Sequence, residues 1–356
     1  MTNNYIYTGK PENLPEGTVS WESPSNIALV KYWGKKREQL PANPSISFTL
    51  NNCKTTTTLT YSNSDKLSFE VYVDGKREEG FEPKIKTFFD RISEYASFIS
   101  RYKFRIDTSN SFPHSSGIAS SASGLSALAL CICSIEQNIN SKFEGDFFLN
   151  KASFLARLGS GSACRSLFPK MASWGKHEEF SNSSDFIGTP YSDIHPIFNT
   201  YQDTILLVDK GQKQVSSTVG HGLMHNHPFA KARFDQANSN LSKLKEVLKS
   251  GDLKEFNKIV ESEALTLHAM MMSSDPYFLL VRPNTIAIIE KVWAFRKEHQ
   301  LNLTVTLDAG SNVHLLYPEV EKEAVLEFIK SELVVFCENG AYICDNVGLG
   351  PKQLSL

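Results

Sequence analysis

The sequence predicts an α+β enzyme of two domains, on three observations. Strand-like and helix-like runs are mixed without the regular βαβ alternation of a doubly wound nucleotide fold. The 356 residues exceed what one hydrophobic core usually holds. Residues 181–199 are rich in Ser, Asp, Pro and Gly and carry no periodic pattern, as suits a passage between domains or a loop near a site. These readings set a first domain over residues 1–198 and a second over residues 199–356.

The elements follow in order. Residues 55–60 are β-branched and polar, and residues 68–73 alternate with Phe69, Val71 and Val73 on one face before the turn pair Asp74-Gly75. Residues 103–108 form another short alternating run, with a helix expected before it over residues 83–99. Residues 120–136 are the strongest helix, since Leu125, Leu128, Ala129 and Ile132 form one stripe. A second helix over 147–158 stops at Gly-Ser-Gly-Ser. Residues 204–209 read as a buried strand. Two helices follow, one ending near Leu248 and one carrying Leu253, Phe256, Ile259, Val260, Ala264 and Leu267. A third covers 284–299, strands cover 303–307 and 312–317, and a last helix starts near Glu319.

Composition excludes several function classes. With 37 Lys+Arg against 39 Asp+Glu the formal net charge is −2, so no basic surface suits general nucleic-acid binding. The polar start lacks the apolar stretch of a signal peptide, and the longest uninterrupted apolar run, 127–133, is too short to span a bilayer. A soluble, cytoplasmic protein is expected. The six cysteines include no C-x-x-C pair and read as reduced, mostly buried thiols.

Four segments carry chemistry. In Phe112-Pro-His-Ser-Ser-Gly-Ile-Ala-Ser-Ser-Ala-Ser-Gly124, small residues lead into the strongest helix. There the backbone N–H groups and the helix dipole favour phosphate. Ser120 and Ser121 offer hydroxyls to the phosphates or to Mg²⁺, although an ordinary serine-capped helix has the same composition. In Gly159-Ser-Gly-Ser-Ala-Cys-Arg-Ser166 a second helix start carries Arg165, suited to a carboxylate or phosphate, or else a surface arginine. Lys31 follows an apolar strand-like run between aromatics, shielded and able to neutralise an anion; Lys35 either does the same or is solvated. Asp308 ends an apolar strand before Ala309-Gly310, as a general base or as a turn cap. The His221, His225 and His227 group lacks further ligands for zinc, so loop or substrate contacts are preferred. The set suits phosphoryl transfer to a hydroxyl on an anionic substrate.

Taken in order, these segments resemble the diphosphomevalonate decarboxylase family of the GHMP kinase superfamily. The carrying motifs are Ser25-Asn-Ile-Ala-Leu-Val-Lys-Tyr-Trp-Gly-Lys35, Pro44-Ser-Ile-Ser-Phe-Thr-Leu50, and the segments at 112–124, 159–166 and 308–310. The resemblance implies a ribosomal-S5-like N-terminal domain, a ferredoxin-like C-terminal domain and a homodimer. It implies ATP-dependent decarboxylation of mevalonate 5-diphosphate, with a phosphomevalonate decarboxylase or a GHMP kinase that only phosphorylates as the alternatives. By the same resemblance Asp308 acts on the tertiary hydroxyl and Arg165 holds the substrate carboxylate. Lys31, Tyr32, Ser160, Ser162 and Ser217 contact substrate or leaving phosphate. Ser115, Ser116, Gly117, Ala119, Ser120 and Ser121 bind ATP, with Ser121 on Mg²⁺. The chain departs from the family's usual pattern at His114 and at Met224-His-Asn-His-Pro228.

Overall fold

Two long antiparallel strands carry the first domain in the computed structural model, which describes residues 2–9, 14–36, 39–113, 118–140, 143–209 and 217–355, the side chains of 217 and 218 excepted. Strand β1 (Gly17–Val30) pairs with β2 (Ser45–Asn63). Over residues 53–61 β2 alternates buried with more accessible positions, while residues 45–50 are buried on both faces. Between these halves the register slips from Pro24 opposite Lys54 to Asn26 opposite Thr49, a bulge that leaves backbone donors unpaired. The Asp345 carboxylate accepts the N–H groups of Asn51, Asn52 and Cys53 at 2.9, 2.8 and 2.7 Å. One acidic residue from the end of the chain thereby satisfies the bulge.

The sheet continues through β3 (Ser68–Val73), a turn with positive φ at Asp74 and Gly75, and β4 (Lys76–Arg77). Helix α1 (Glu82–Ile92) stops earlier than the sequence predicts, because Ala96 leaves helical backbone angles and a 3₁₀ segment (Ser97–Arg101) takes over. Strand β5 (Tyr102–Asn110) then lies antiparallel to β2 and parallel to β3. Helices α2 (Ser120–Ile139) and α3 (Gly145–Gly159) cover the sheet, and β6 (Met171–Trp174) pairs with the first half of β2 and with β7 (Thr189–Pro190). By length and composition α2 is apolar enough to cross a membrane, and 78% of that stretch is buried. It is the core helix of this domain.

The second domain starts with β8 (Gln202–Leu206), α4 (Ser217–Gly222), α5 (Ala230–Ser250), α6 (Leu253–Met272) and α7 (Pro283–His299). Its remaining elements are β9 (Thr304–Thr306), β10 (Val313–Tyr317), α8 (Lys322–Phe328) and β11 (Tyr342–Asn346). The antiparallel order β11-β8-β10-β9 is the ferredoxin-like order that the sequence resemblance implies. Helix α5 ends at Gly251 in the left-handed region, and Asp252 caps α6 by accepting from the N–H groups of Lys254 and Glu255. The last strand, β12 (Lys352–Leu354), crosses back to pair with the β1 edge of the first sheet. All six cysteines are free and five are buried, as expected.

Candidate active site

The site forms where the end of β1 meets the second domain. Lys31 follows the buried run Ile27, Ala28, Leu29 and Val30, and its own side chain is buried. Its Nζ donates to Asp308 Oδ1 at 3.0 Å, while the Asp308 side chain is 24% exposed and so reachable from solvent. Burial pushes the Lys31 pKa down, and Asp308 opposes that shift. Asp308 follows the buried Leu307 at the end of β9, and its carbonyl accepts from Gly310 N at 2.7 Å and pairs with His268 Nε2 at 3.1 Å. Lys31 and Asp308 lie 277 residues apart in sequence; the fold brings them together.

Arg165 is the third member. It is buried, with Nη2 donating to Asn26 Oδ1 at 3.1 Å and Nη1 to Ser45 Oγ. Among the described residues no carboxylate forms an ion pair with it. Burial lowers its pKa, offset in part by the neighbouring Cys164, Asp308 and Tyr32. A buried guanidinium held by neutral groups is poised for an anion from outside. The segment that carries it corrects an expectation: residues Gly161–Leu167 are a 3₁₀ run, with Arg165 in its last turn. The crowding is visible at Gly161, where a Cβ would lie 2.6 Å from the Trp174 ring and 3.0 Å from the Tyr32 hydroxyl. Only glycine fits against the aromatic pair at this point. Tyr32 packs edge-on against Trp174 at 4.6 Å, and its buried hydroxyl has no partner among the described residues.

Serines join this cleft to the start of α2. Ser121 Oγ lies 3.4 Å from Ser160 Oγ, and Ser162 is half-buried one turn on, its carbonyl accepting from Asn26 Nδ2 at 3.2 Å. Ala119, in the left-handed region with φ 49°, starts the helix. Ser120 and Ser121 also border an apolar cavity lined by Thr57, Val71, Ile106 and Leu128. Ser115, Ser116 and Gly117, expected at the phosphates, and His114 lie outside the described residues. Ser217 begins α4, its side chain outside the description. Lys35 is partly buried, its pKa pushed down to about 8 by burial and by the nearby cations Arg91 and Lys84.

The histidine group has structural duties. His221 Nδ1 accepts from Gly34 N at 3.0 Å, with its ring between Tyr32 and Trp33 at 4.3 and 4.6 Å. His227 Nδ1 accepts from Phe229 N, and its Nε2 pairs with the Met270 carbonyl. His225 is exposed. No group of three His, Cys, Asp or Glu able to hold a metal occurs among the described residues.

Sequence reasoning missed Glu263, Arg233 and His268. All three are buried. Glu263 and His268 fall among the apolar positions of α6, and a charged residue in such a stripe is the signal that finds them.

With this geometry in place, known proteins are informative. The profile of the diphosphomevalonate decarboxylase-like N-terminal domain matches residues 23–185. That of the mevalonate 5-diphosphate decarboxylase C-terminal domain matches residues 204–348. The chain belongs to the diphosphomevalonate decarboxylase family. It is an ATP-dependent decarboxylase of the mevalonate pathway. The diphosphomevalonate decarboxylase of Candida albicans is 28% identical over 330 residues, covering 88% of this chain and 87% of that one. The mevalonate diphosphate decarboxylase of Staphylococcus aureus superposes with a TM-score of 0.81 at 27% identity, covering 95% and 98% of the two chains. A solved structure of MDDEF in complex with MVAPP, AMPPCP and magnesium superposes at 0.80 with 27% identity, over 95% and 99%. Members of this family thus bind an ATP analogue and magnesium.

Proposed function

We propose that the cleft binds mevalonate 5-diphosphate and ATP, phosphorylates the substrate's tertiary hydroxyl, and releases isopentenyl diphosphate, ADP, phosphate and CO₂. The observation that carries this reading is the buried Arg165, which has no carboxylate partner among the described residues and lies within electrostatic reach of the Lys31–Asp308 pair. A substrate that brings a carboxylate to Arg165 and a hydroxyl to Asp308 supplies the missing anion and the proton to be moved. Asp308 takes the hydroxyl proton as oxygen attacks the γ-phosphoryl group. Lys31 fixes the direction of the carboxylate through the 3.0 Å contact. Phosphate then departs, positive charge develops beside the substrate carboxylate, and the C–C bond electrons fill it as CO₂ leaves. Tyr32, Ser160, Ser162 and Ser217 bind the diphosphate or the departing phosphate.

Ala119, Ser120 and Ser121 place backbone and hydroxyl donors at the start of α2, where the helix dipole favours phosphate. Ser115, Ser116 and Gly117 extend this cradle in the reading. The adjoining apolar cavity takes the nucleotide base. Magnesium fits the same place: it favours oxygen ligands, phosphates and waters over an all-protein cage, and Ser121 offers its hydroxyl there. When bound, the ion neutralises phosphate charge. A cytoplasmic homodimer, implied by the family likeness, belongs to the same proposal; sedimentation of the purified chain tests its second half.

Comparison of kcat/KM for mevalonate, its 5-phosphate and its 5-diphosphate tests the substrate. The 5-diphosphate should lead by at least about tenfold, the worth of roughly one charge-assisted contact; a preference for the 5-phosphate would overturn the assignment. Arg165→Gln should lower kcat/KM for the mevalonate derivative on the order of a hundredfold and leave KM for ATP within about threefold. Equal losses for both substrates would contradict the carboxylate role. Ser121→Ala should raise the Mg²⁺ concentration needed for half-maximal rate by about tenfold, and an unchanged requirement would remove Ser121 from the ion.

A further inference from the structure

Two of the buried polar side chains of α6, Glu263 and His268, reach separately to the two members of the reacting pair. Glu263 is completely buried. Its Oε2 accepts the backbone N–H of Lys31 at 2.8 Å, and its two oxygens also take the Arg233 guanidinium and Asn240 Nδ2. Arg233 Nη2 closes the grip by donating to the Lys31 carbonyl at 3.2 Å, which Asn43 Nδ2 shares at 2.9 Å. The catalytic lysine's backbone is therefore held on both its N–H and C=O sides, mostly by the second domain.

Five residues on, about 7.5 Å along the helix axis, His268 meets the other member. Its Nε2 lies 3.1 Å from the Asp308 carbonyl. Burial pushes the His268 pKa down to about 4, so the ring is neutral, and a carbonyl partner requires the proton on Nε2. Nδ1 is buried with no partner among the described residues. The ring is thus committed to one contact, and that contact fixes the Asp308 turn.

We propose that α6 sets the spacing of the reacting pair, with Glu263 positioning Lys31 and His268 positioning Asp308 through their backbones. The proposal rests on the reading of Lys31 and Asp308 as that pair. Neither Glu263 nor His268 touches the reacting atoms in this scheme. The charged groups around Lys31 are Asp308, Glu263, Arg165 and, at its carbonyl, Arg233, with Asp203 and the neutral His268 also within reach. Because Asp308 raises the Lys31 pKa against the effect of burial, widening the pair lets that pKa fall. The alkaline limb of kcat then moves to lower pH.

Three His268 variants test this, each checked for folding by circular dichroism. His268→Leu removes the donor, His268→Asn keeps an amide too short to reach the Asp308 carbonyl, and His268→Gln carries an amide N–H to the place of Nε2. The Leu and Asn variants should lose about ten- to a hundredfold in kcat, keep KM for both substrates within about threefold, and show the alkaline limb displaced downward. His268→Gln should restore most of kcat and the limb. If Leu does not fold, the Asn and Gln pair carries the comparison. Equal behaviour of Asn and Gln, or a kcat loss with no movement of the limb, would overturn the proposal. Asp308→Ala assayed alongside separates the two levels: an unimpaired Asp308→Ala enzyme sinks the reading of the site. An inactive one beside a fully active His268→Asn enzyme sinks only the role of α6.

Discussion

Replacing Asp308 by alanine should lower kcat about a thousandfold or more and leave the fold intact. The carboxylate is a quarter exposed, receives Lys31 Nζ at 3.0 Å, and lies two residues past the buried strand β9. It makes no core of its own, so truncation costs little packing. What is lost is a positioned proton acceptor, worth about 10² to 10⁴ in rate, together with the contact that directs the Lys31 ammonium. Because Lys31 is buried, the variant also leaves an ammonium without its nearest counter-charge, which adds to the defect. Steady-state ADP release with saturating ATP measures the effect. Turnover within about tenfold of wild type would remove Asp308 from the chemistry.

Glu263→Ala is expected to destabilise the protein by about 3–5 kcal/mol, the cost of leaving one partner of a buried ion pair unanswered. Both partners have zero side-chain exposure. Removing the carboxylate strands Arg233, whose Nε already lacks a partner among the described residues, and frees the N–H groups of Lys31 and Asn240 Nδ2. Four hydrogen bonds converge on Glu263, so water entering a small cavity does not replace them all. Urea unfolding followed by fluorescence of the four tryptophans reads the loss. A change below about 1 kcal/mol, the size of an exposed pair, would show that the cluster is solvated and that the grip on Lys31 is weak.

Much of this site was legible in the sequence because its parts are local. Lys31 stands out as a lysine after a buried strand, Asp308 as an acid at a strand end before glycine, and Ser120 and Ser121 as small hydroxyl residues opening an apolar helix. Local pattern also placed α2, α3, α5, α6 and α7 within a few residues. It failed where tertiary contact decides. The segment Gly161–Leu167 has the composition of an α-helix start yet winds as a 3₁₀ run, with Gly161 packed against the Trp174 and Tyr32 side chains. The Lys31 N–H and Glu263 are 232 residues apart, and Asp345 meets the β2 bulge across more than 290. Nothing in a local window announces such pairings. What does announce them is a polar residue on an apolar stripe: Glu263 and His268 sit among Val260, Ala264 and Leu267 on α6. The clustered histidines, for which loop or substrate contacts are expected, fit that reading: His221 and His227 bond to backbone and His225 is exposed.

The central claim is that one cleft couples phosphoryl transfer to loss of the carboxylate held by Arg165. The most direct measurement is the ratio of CO₂ to ADP released from mevalonate 5-diphosphate labelled at its carboxyl carbon. The account predicts that the two products appear in equal amounts from the first turnovers onward. ADP formed without CO₂, together with a stable phosphorylated substrate, would contradict it and leave a kinase in its place.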